Sequence, residues 1–262
     1  MGSKDLPLRL RGAELRWLWP QADQLRVLTA KGLPMGLQMI VMSASGLVMI
    51  GLVNREGLMV TAAYGAAQQI WTYLQMPAMA MGAAVSAMAA QNIGAGRWDR
   101  VGRITGYGLA YQLAITGLMI GVILLFHQAL LSLFLGTNRV AIDAAWNMQL
   151  LATWSFLMFG CTAILFGVMR ANGVVLAPLL ILILTLFGVR LGFYHLAYPL
   201  LGADALWLSF PAGSFVSLTL AVILYLQGGW RKVRLMTPVH EEECRESVQS
   251  ETEPAGRIAP AG

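Results

Sequence analysis

Charge is what this sequence has least of, and the shortage is patterned. Asp, Glu, Lys and Arg make up 12% of the 262 residues, where a soluble domain carries about a quarter. Six windows contain none of them: Gly32 to Asn54, Leu58 to Gly96, Ile104 to Asn138, Ala144 to Met169, Ala171 to Val189 and Ala205 to Trp230. Carboxylates are absent from all six, which removes the usual intramembrane proton or cation site and any paired-carboxylate chemistry at depth. Cysteine is nearly absent too. Cys161 lies inside an apolar window and Cys244 in the polar tail, so no disulfide framework and no metal-ligand spacing exists. Cys161 reads as a small apolar residue. His195, without a carboxylate nearby, is a weak catalytic candidate. Ser43-Ala44-Ser45-Gly46 looks superficially like a serine-protease motif but lacks the first glycine, and no histidine is placed for a Ser–His pair. No catalytic residue is assigned, and the chain is not read as an enzyme.

What remains is hydrophobic: 57% of residues, with a mean hydropathy of +0.64. A bilayer-spanning helix needs about 20 mostly apolar residues. The windows supply six such spans, near 33–53, 62–90, 104–126, 147–169, 175–198 and 206–226. They are about twice the length of a barrel strand and do not alternate. The expected fold is all-α and integral to the membrane, a bundle of six transmembrane helices occupying 32–230. Residues 1–31 are expected to form a cytoplasmic linker, and 231–262, rich in Glu, Pro and Ser, a disordered cytoplasmic tail. The first apolar segment comes after 31 polar-rich residues, so a cleavable signal peptide is not expected and span one would itself direct insertion. Within 6–20, LPLRLRGAELRWLWP has a weak amphipathic face broken by glycine and proline, and reads as a loosely bound linker. A short surface helix is expected within 127–146.

Basic residues orient the spans. Lys4, Arg9, Arg11, Arg16, Arg26, Lys31, Arg97, Arg100, Arg103, Arg170, Arg231, Lys232 and Arg234 fall on one side, against Arg55 and Arg139 on the other. Positive residues stay inside, which places both termini in the cytoplasm. The same asymmetry explains AAQNIGAGRWDRVGR (89–103). Its glycines suggest a phosphate loop, but the P-loop lysine and the preceding strand are missing. Gly94-Ala95-Gly96 is expected to end a helix and make a turn, with arginines beside anionic headgroups. The basic residues therefore serve the lipid bilayer, and no nucleic-acid partner is expected.

Arg190 is the one formal charge at depth, late in span five, and is expected to snorkel outward. Uncharged polar residues are plentiful: Gln38, Ser43 and Ser45 in span one, Gln68, Gln69, Thr72, Tyr73 and Gln75 in span two, Tyr111 and Gln112 in span three, Asn147 and Gln149 in span four. Amides facing lipid are unfavourable, so these should face other helices or a wet cavity. The polar density of span two, beside Trp71, Met76 and Met79, suggests an adaptable cavity wall suited to bulky amphipathic or cationic compounds. Gln38, Gln69, Tyr73 and Gln112 are the substrate-cavity candidates. Ala78, Gly82, Ser86 and Ala90 form a small-residue face for close helix approach, and Gly117 and Gly121 another. Pro77 is expected to kink span two, while Pro34 and Pro178 are expected in first turns.

Four stretches carry a family resemblance: KGLPMGLQMI, AAYGAAQQIWTYLQMPAMAMGAAVSAMAAQNIGAGRWDRV, LFGVMRANGVVLAP and VRLGFYHLAYPLLGADALW. They resemble multidrug and toxic compound extrusion (MATE) transporters, and within them the carboxy-terminal six-helix lobe, over about 23–230. The resemblance implies a lobe of a two-lobe secondary transporter that exports drugs or organic cations in exchange for protons or sodium. It implies no bound cofactor, a second six-helix lobe as partner, and the bacterial inner membrane as location. Some family members carry acidic residues in the first and fourth helices of this lobe. The positions around Met42 and Phe159 are apolar here, which resembles the DinF-like branch, where the coupling carboxylate lies in the other lobe. The alternatives are a lipid-linked saccharide flippase-like lobe, which a basic cavity would favour, and a truncated remnant that transports nothing.

Overall fold

The computed structural model describes residues 22–232. The 6–20 stretch and most of the tail lie outside the described residues, and with them the disorder expectation and the linker expectation for 1–21; residues 22–31 of the expected linker belong to α1. Within them every element is helical: α1 (Ala22–Val53), α2 (Leu58–Gly94), α3 (Trp98–Leu125), α4 (His127–Leu135), α5 (Arg139–Ala152), α6 (Ser155–Ala171), α7 (Leu176–Ile183), α8 (Arg190–Leu201) and α9 (Asp204–Gln227). A π-helical segment, Leu184–Val189, joins α7 to α8 without a break. Four of these helical rods are long and apolar enough to cross a membrane: α1, α3, the α7–α8 rod and α9. Counting α5 and α6, bent by 46°, as one span makes five. The sixth expected span is α2. It runs 37 residues without a charge, but its alanines, glycines and glutamines leave it less apolar than the others.

Chain turns use residues suited to them. Gly57, Gly96, Gly136, Gly202 and Gly228 all have positive φ, a region that disfavours a Cβ. The turn after α2 is the expected one: Gly96 (φ +69°) lies just past the helix end, and the Arg97 N–H donates to the Asn92 carbonyl at 2.8 Å. Arg97, Arg100 and Arg103 are exposed, and Arg103 pairs with Asp99 at 3.6 Å. Exposed i,i+4 pairs of this kind contribute only about 0.3–0.5 kcal/mol.

Two local expectations need correction. α1 starts at Ala22, so Pro34 sits inside the helix and not in its first turn. Pro77 does lie inside α2, where it removes one backbone donor. Between 127 and 146 the structure has two helices. Asn138 caps the second, its side chain accepting from the Ala141 N–H at 3.2 Å, and α5 then runs on to the bend before α6.

Two buried clusters hold the bundle, one toward each end. Toward the α1–α2 turn, Met49, Tyr64, Trp71, Met148, Phe156, Leu206 and Trp207 pack together. Toward the α2–α3 turn, Val85, Val101, Ile164, Phe166, Met169 and Trp230 do the same. α2 and α6 meet most closely. A Cβ on Gly167 would lie 2.6 Å from the Gly82 carbonyl oxygen, and one on Gly82 would lie 3.2 Å from that of Ala163. This is the expected small-residue face around Ala78, Gly82 and Ser86, although Ala90 is exposed and Ala89 takes the inward position. Gly117 and Gly121 meet nothing within 4 Å of an added Cβ, so they are not a packing face within this chain.

Candidate functional site

A helix turns about 100° per residue, so residues two apart on α2 point to nearly opposite sides. Gln69 and Tyr73 face outward, with Tyr73 50% exposed and Met76 59% exposed. Trp71, their neighbour along the chain, faces inward and is 2% exposed. Its indole Nε1–H donates to Gln149 Oε1 at 2.9 Å and reaches Thr153 Oγ1 at 3.3 Å. Thr153 also donates to Gln149 Oε1 at 2.6 Å. This buried network holds α2 against the bend between α5 and α6. Trp71 is thus a structural anchor behind the wall and not part of its surface.

The outward face has its own chemistry. Pro77 has no N–H, so the Tyr73 carbonyl four residues earlier loses its helical donor. That carbonyl, the Gln69 side-chain oxygen and the Tyr73 ring sit one turn apart on a side of α2 that no other helix among the described residues covers. Acceptors and a π-face with no competing cation suit a ligand with positive charge. Met76 and Met79, both more than half exposed, add a deformable apolar margin.

The other two candidates lie elsewhere. Gln38 is 5% exposed, and its Nε2 donates to the Val175 carbonyl at 3.1 Å, fastening α1 to the start of α7. Lys31 supports the same junction through the Gly173 carbonyl at 2.7 Å. Gln112 is fully buried, and its Nε2 donates to Thr116 Oγ1 at 2.6 Å. Its amide fills the space left by Gly160, where a Cβ would collide with it. Of the four candidates, Gln69 and Tyr73 share one open surface. Gln38 and Gln112 are each inside the lobe and apart from it.

Arg190 departs most from expectation. It does not snorkel outward. Only 9% exposed, it lies with its guanidinium carbon 3.4 Å from the centre of the Phe210 ring. Among the described residues, its Nε and Nη2 have no hydrogen-bond partner. Among the described residues, no group of three or more His, Cys, Asp or Glu side chains is arranged to hold a metal. Asp143, just ahead of the expected fourth span, rides on α5 and is exposed.

Long apolar helices around two buried cores, with a polar stripe left open on the longest of them, define an all-α, multi-pass membrane protein. The MatE family model matches residues 34–194, and the chain belongs to the MatE family. It is 36% identical over 231 residues to the probable multidrug resistance protein YoeA of Bacillus subtilis (strain 168), covering 87% of this chain and 50% of the relative. It is 29% identical over 219 residues to the probable multidrug resistance protein YpnP of the same organism, covering 83% and 49%. The chain therefore spans about half the length of the curated relatives it matches. Solved structures show the same fold. A crystal structure of MATE in complex with MaL6 aligns with a TM-score of 0.73 at 17% identity, over 91% of this chain and 50% of that one. An inward-facing multidrug resistance MATE family transporter of the MOP superfamily aligns at 0.68 and 18%, over 92% and 52%.

Proposed function

We propose that this chain is one six-helix lobe, the carboxy-terminal one, of a MATE-type secondary transporter that exports drugs or organic cations. The observation that carries the reading is that the chain matches about half of each related structure and that, among the described residues, no helix covers the Gln69–Tyr73–Met76 face of α2. Transporters of this kind alternate access by rocking one bundle against another around a midplane site. A second six-helix lobe closes the cavity over this face, whether from another polypeptide or a second copy. Gln69 and Tyr73 contact substrate. Gln38 and Gln112 act on it indirectly, by holding the lobe's shape. The lobe sits in a bacterial inner membrane with both ends cytoplasmic, residues 1–31 linking to the other lobe and 231–262 forming the tail.

The coupling ion, proton or sodium, binds in the other lobe where that lobe is a different polypeptide; a second copy of this chain would duplicate the lack of a carboxylate. No Asp or Glu falls within the spans expected at 33–53, 62–90, 104–126, 147–169, 175–198 or 206–226, so no group there takes up and releases a cation at depth. The chain alone in liposomes should show no substrate flux under an imposed proton or sodium gradient. Supplying an amino-terminal lobe with an intramembrane carboxylate should produce it. Gradient-driven flux by this chain alone would overturn the reading.

A further inference from the structure

Arg190 presents a free edge of a particular shape. The five N–H groups of a guanidinium form fixed forks, and Nε with Nη2 makes up one edge, whose parallel hydrogens match the two oxygens of a carboxylate or phosphate. Those are the two atoms without a partner. The ring of Phe210 covers one face of the guanidinium, which satisfies charge without filling the edge. The only ion pair among the described residues is the exposed Arg103–Asp99 contact, so the chain's described part offers Arg190 no carboxylate. A buried, uncompensated cation is strongly unfavourable in a low-dielectric interior.

The surroundings are built and not accidental. The π-helical segment Leu184–Val189 ends immediately before Arg190. An inserted residue of this kind rotates the rest of the helix by about 100°, and it turns Arg190 toward α9. There Gly213 permits close approach: an added Cβ would lie 3.8 Å from the Arg190 Cβ. Phe210 and Trp207 share one face of α9. Tyr64 stacks on Trp207 at 5.7 Å and 27° and lies near enough to interact with the Arg190 charge. The hydroxyl of Tyr64 makes no hydrogen bond within the described residues.

We propose that the Nε/Nη2 edge of Arg190 is a bidentate receptor for an oxoanion, a carboxylate or phosphate group, walled by Tyr64, Trp207 and Phe210. Both atoms are covered in this structure, so binding requires the guanidinium to turn off the Phe210 ring. The site lies on the inward side of α2, opposite Gln69 and Tyr73, and does not depend on the transport reading.

The test uses the full chain in an uncharged detergent. Labelled inorganic phosphate and acetate are the probes, with chloride as an anion whose single atom cannot give each of two parallel donors its own acceptor. Phosphate or acetate should bind saturably, with chloride about tenfold weaker or more, the loss of roughly one charge-assisted hydrogen bond. Arg190→Lys keeps the charge without the fork and should weaken oxoanion binding about tenfold; Arg190→Gln should abolish it. If Arg190→Gln does not fold, the wild-type to Arg190→Lys ratio and the chloride comparison still decide. Nanodiscs then separate the sources. Because phosphatidylglycerol and phosphatidylcholine both carry a phosphodiester, an Arg190-dependent loss of phosphate binding in nanodiscs of either lipid relative to the uncharged detergent identifies a lipid phosphate as occupant, and undiminished binding identifies a soluble oxoanion. No saturable binding, equal binding of chloride, or unchanged affinity in Arg190→Lys overturns the proposal.

Discussion

Replacing Gly167 with alanine should break the contact on which the lobe depends. Two opposing effects act. In an ordinary helix, Gly→Ala stabilises by about 0.5–1 kcal/mol, because glycine loses more backbone freedom on folding. At Gly167 the added methyl would lie 2.6 Å from the Gly82 carbonyl oxygen, a backbone atom in the middle of α2 with no rotamer to change. Ordinary contact begins at 3.4 Å, so α2 and α6 must separate by roughly 0.8 Å along that line (3.4 minus 2.6), giving up dispersion along the whole interface. Overpacking of a close-packed interior costs about 1–3 kcal/mol, so the balance should be destabilising by roughly 0–2.5 kcal/mol. Gly102 is the control: an added Cβ there meets nothing within 4 Å, and Gly102→Ala should be neutral or slightly stabilising. The measurement is the temperature at which the detergent-solubilised chain loses its monodisperse elution peak. Gly167→Ala should fall below wild type and Gly102→Ala should not. A Gly167→Ala protein as stable as Gly102→Ala would refute close backbone contact between these two helices.

Trp71→Phe keeps the ring in the aromatic cluster but removes the donor to Gln149 and Thr153. It should destabilise by about 1–3 kcal/mol, and a double-mutant cycle with Gln149→Leu should show non-additivity; full additivity would mean that the two are not bonded. Gln69→Ala or Tyr73→Ala, in cells making the complete transporter, should alter resistance to some cationic compounds and not others at normal protein level. Gln112→Leu should instead change protein stability while leaving the pattern of compounds unchanged. Uniform loss of resistance for every compound in proportion to protein level would make Gln69 and Tyr73 packing residues as well.

The spans are legible in the sequence because burial in lipid imposes one simple demand, long uncharged apolar runs, and composition records it directly. The turn at Gly94-Ala95-Gly96 is legible for a similar reason, since a positive φ selects glycine. Orientation of a side chain around its helix axis is not. Gln69 and Trp71 look like neighbours along the chain, and only the fold sends one outward and the other into the core. Arg190 misleads because a charge near a helix end normally snorkels; the π-helical segment that turns it inward leaves no compositional mark in LILTLFGVRLG. The start of α5 does leave a signal. Asn138 is a strong capping residue directly ahead of Arg139, and the apolar positions beyond it, at helical spacing, continue into the span. Gln112 faces inward because Gly160 on α6 leaves room for it, a pairing between positions far apart in sequence that no local pattern encodes.

Where the charges sit also weighs on the competing readings of the cavity. A lobe that moved a phosphate-linked saccharide would need basic groups on the wall facing its partner lobe. The open face of α2 has none: Leu58 to Gly94 contains no Lys or Arg. The one basic residue at depth, Arg190, is packed among Phe210, Tyr64 and Trp207, on the side of α2 turned away from Gln69 and Tyr73. Even if its free edge takes an oxoanion, that anion would sit within the lobe and not along the path between lobes. Acceptors without basic residues, the Gln69 amide, the Tyr73 ring and the carbonyl released by Pro77, favour cations on the open face. On the proposed reading, the same absence of charge would make the lobe need a partner for coupling. A wall that attracts a lipophilic cation without a carboxylate can bind and release it, but nothing on that wall changes protonation to make release depend on a gradient. In the proposed two-lobe arrangement, substrate recognition and ion coupling would fall on different lobes, joined by the rocking that carries both.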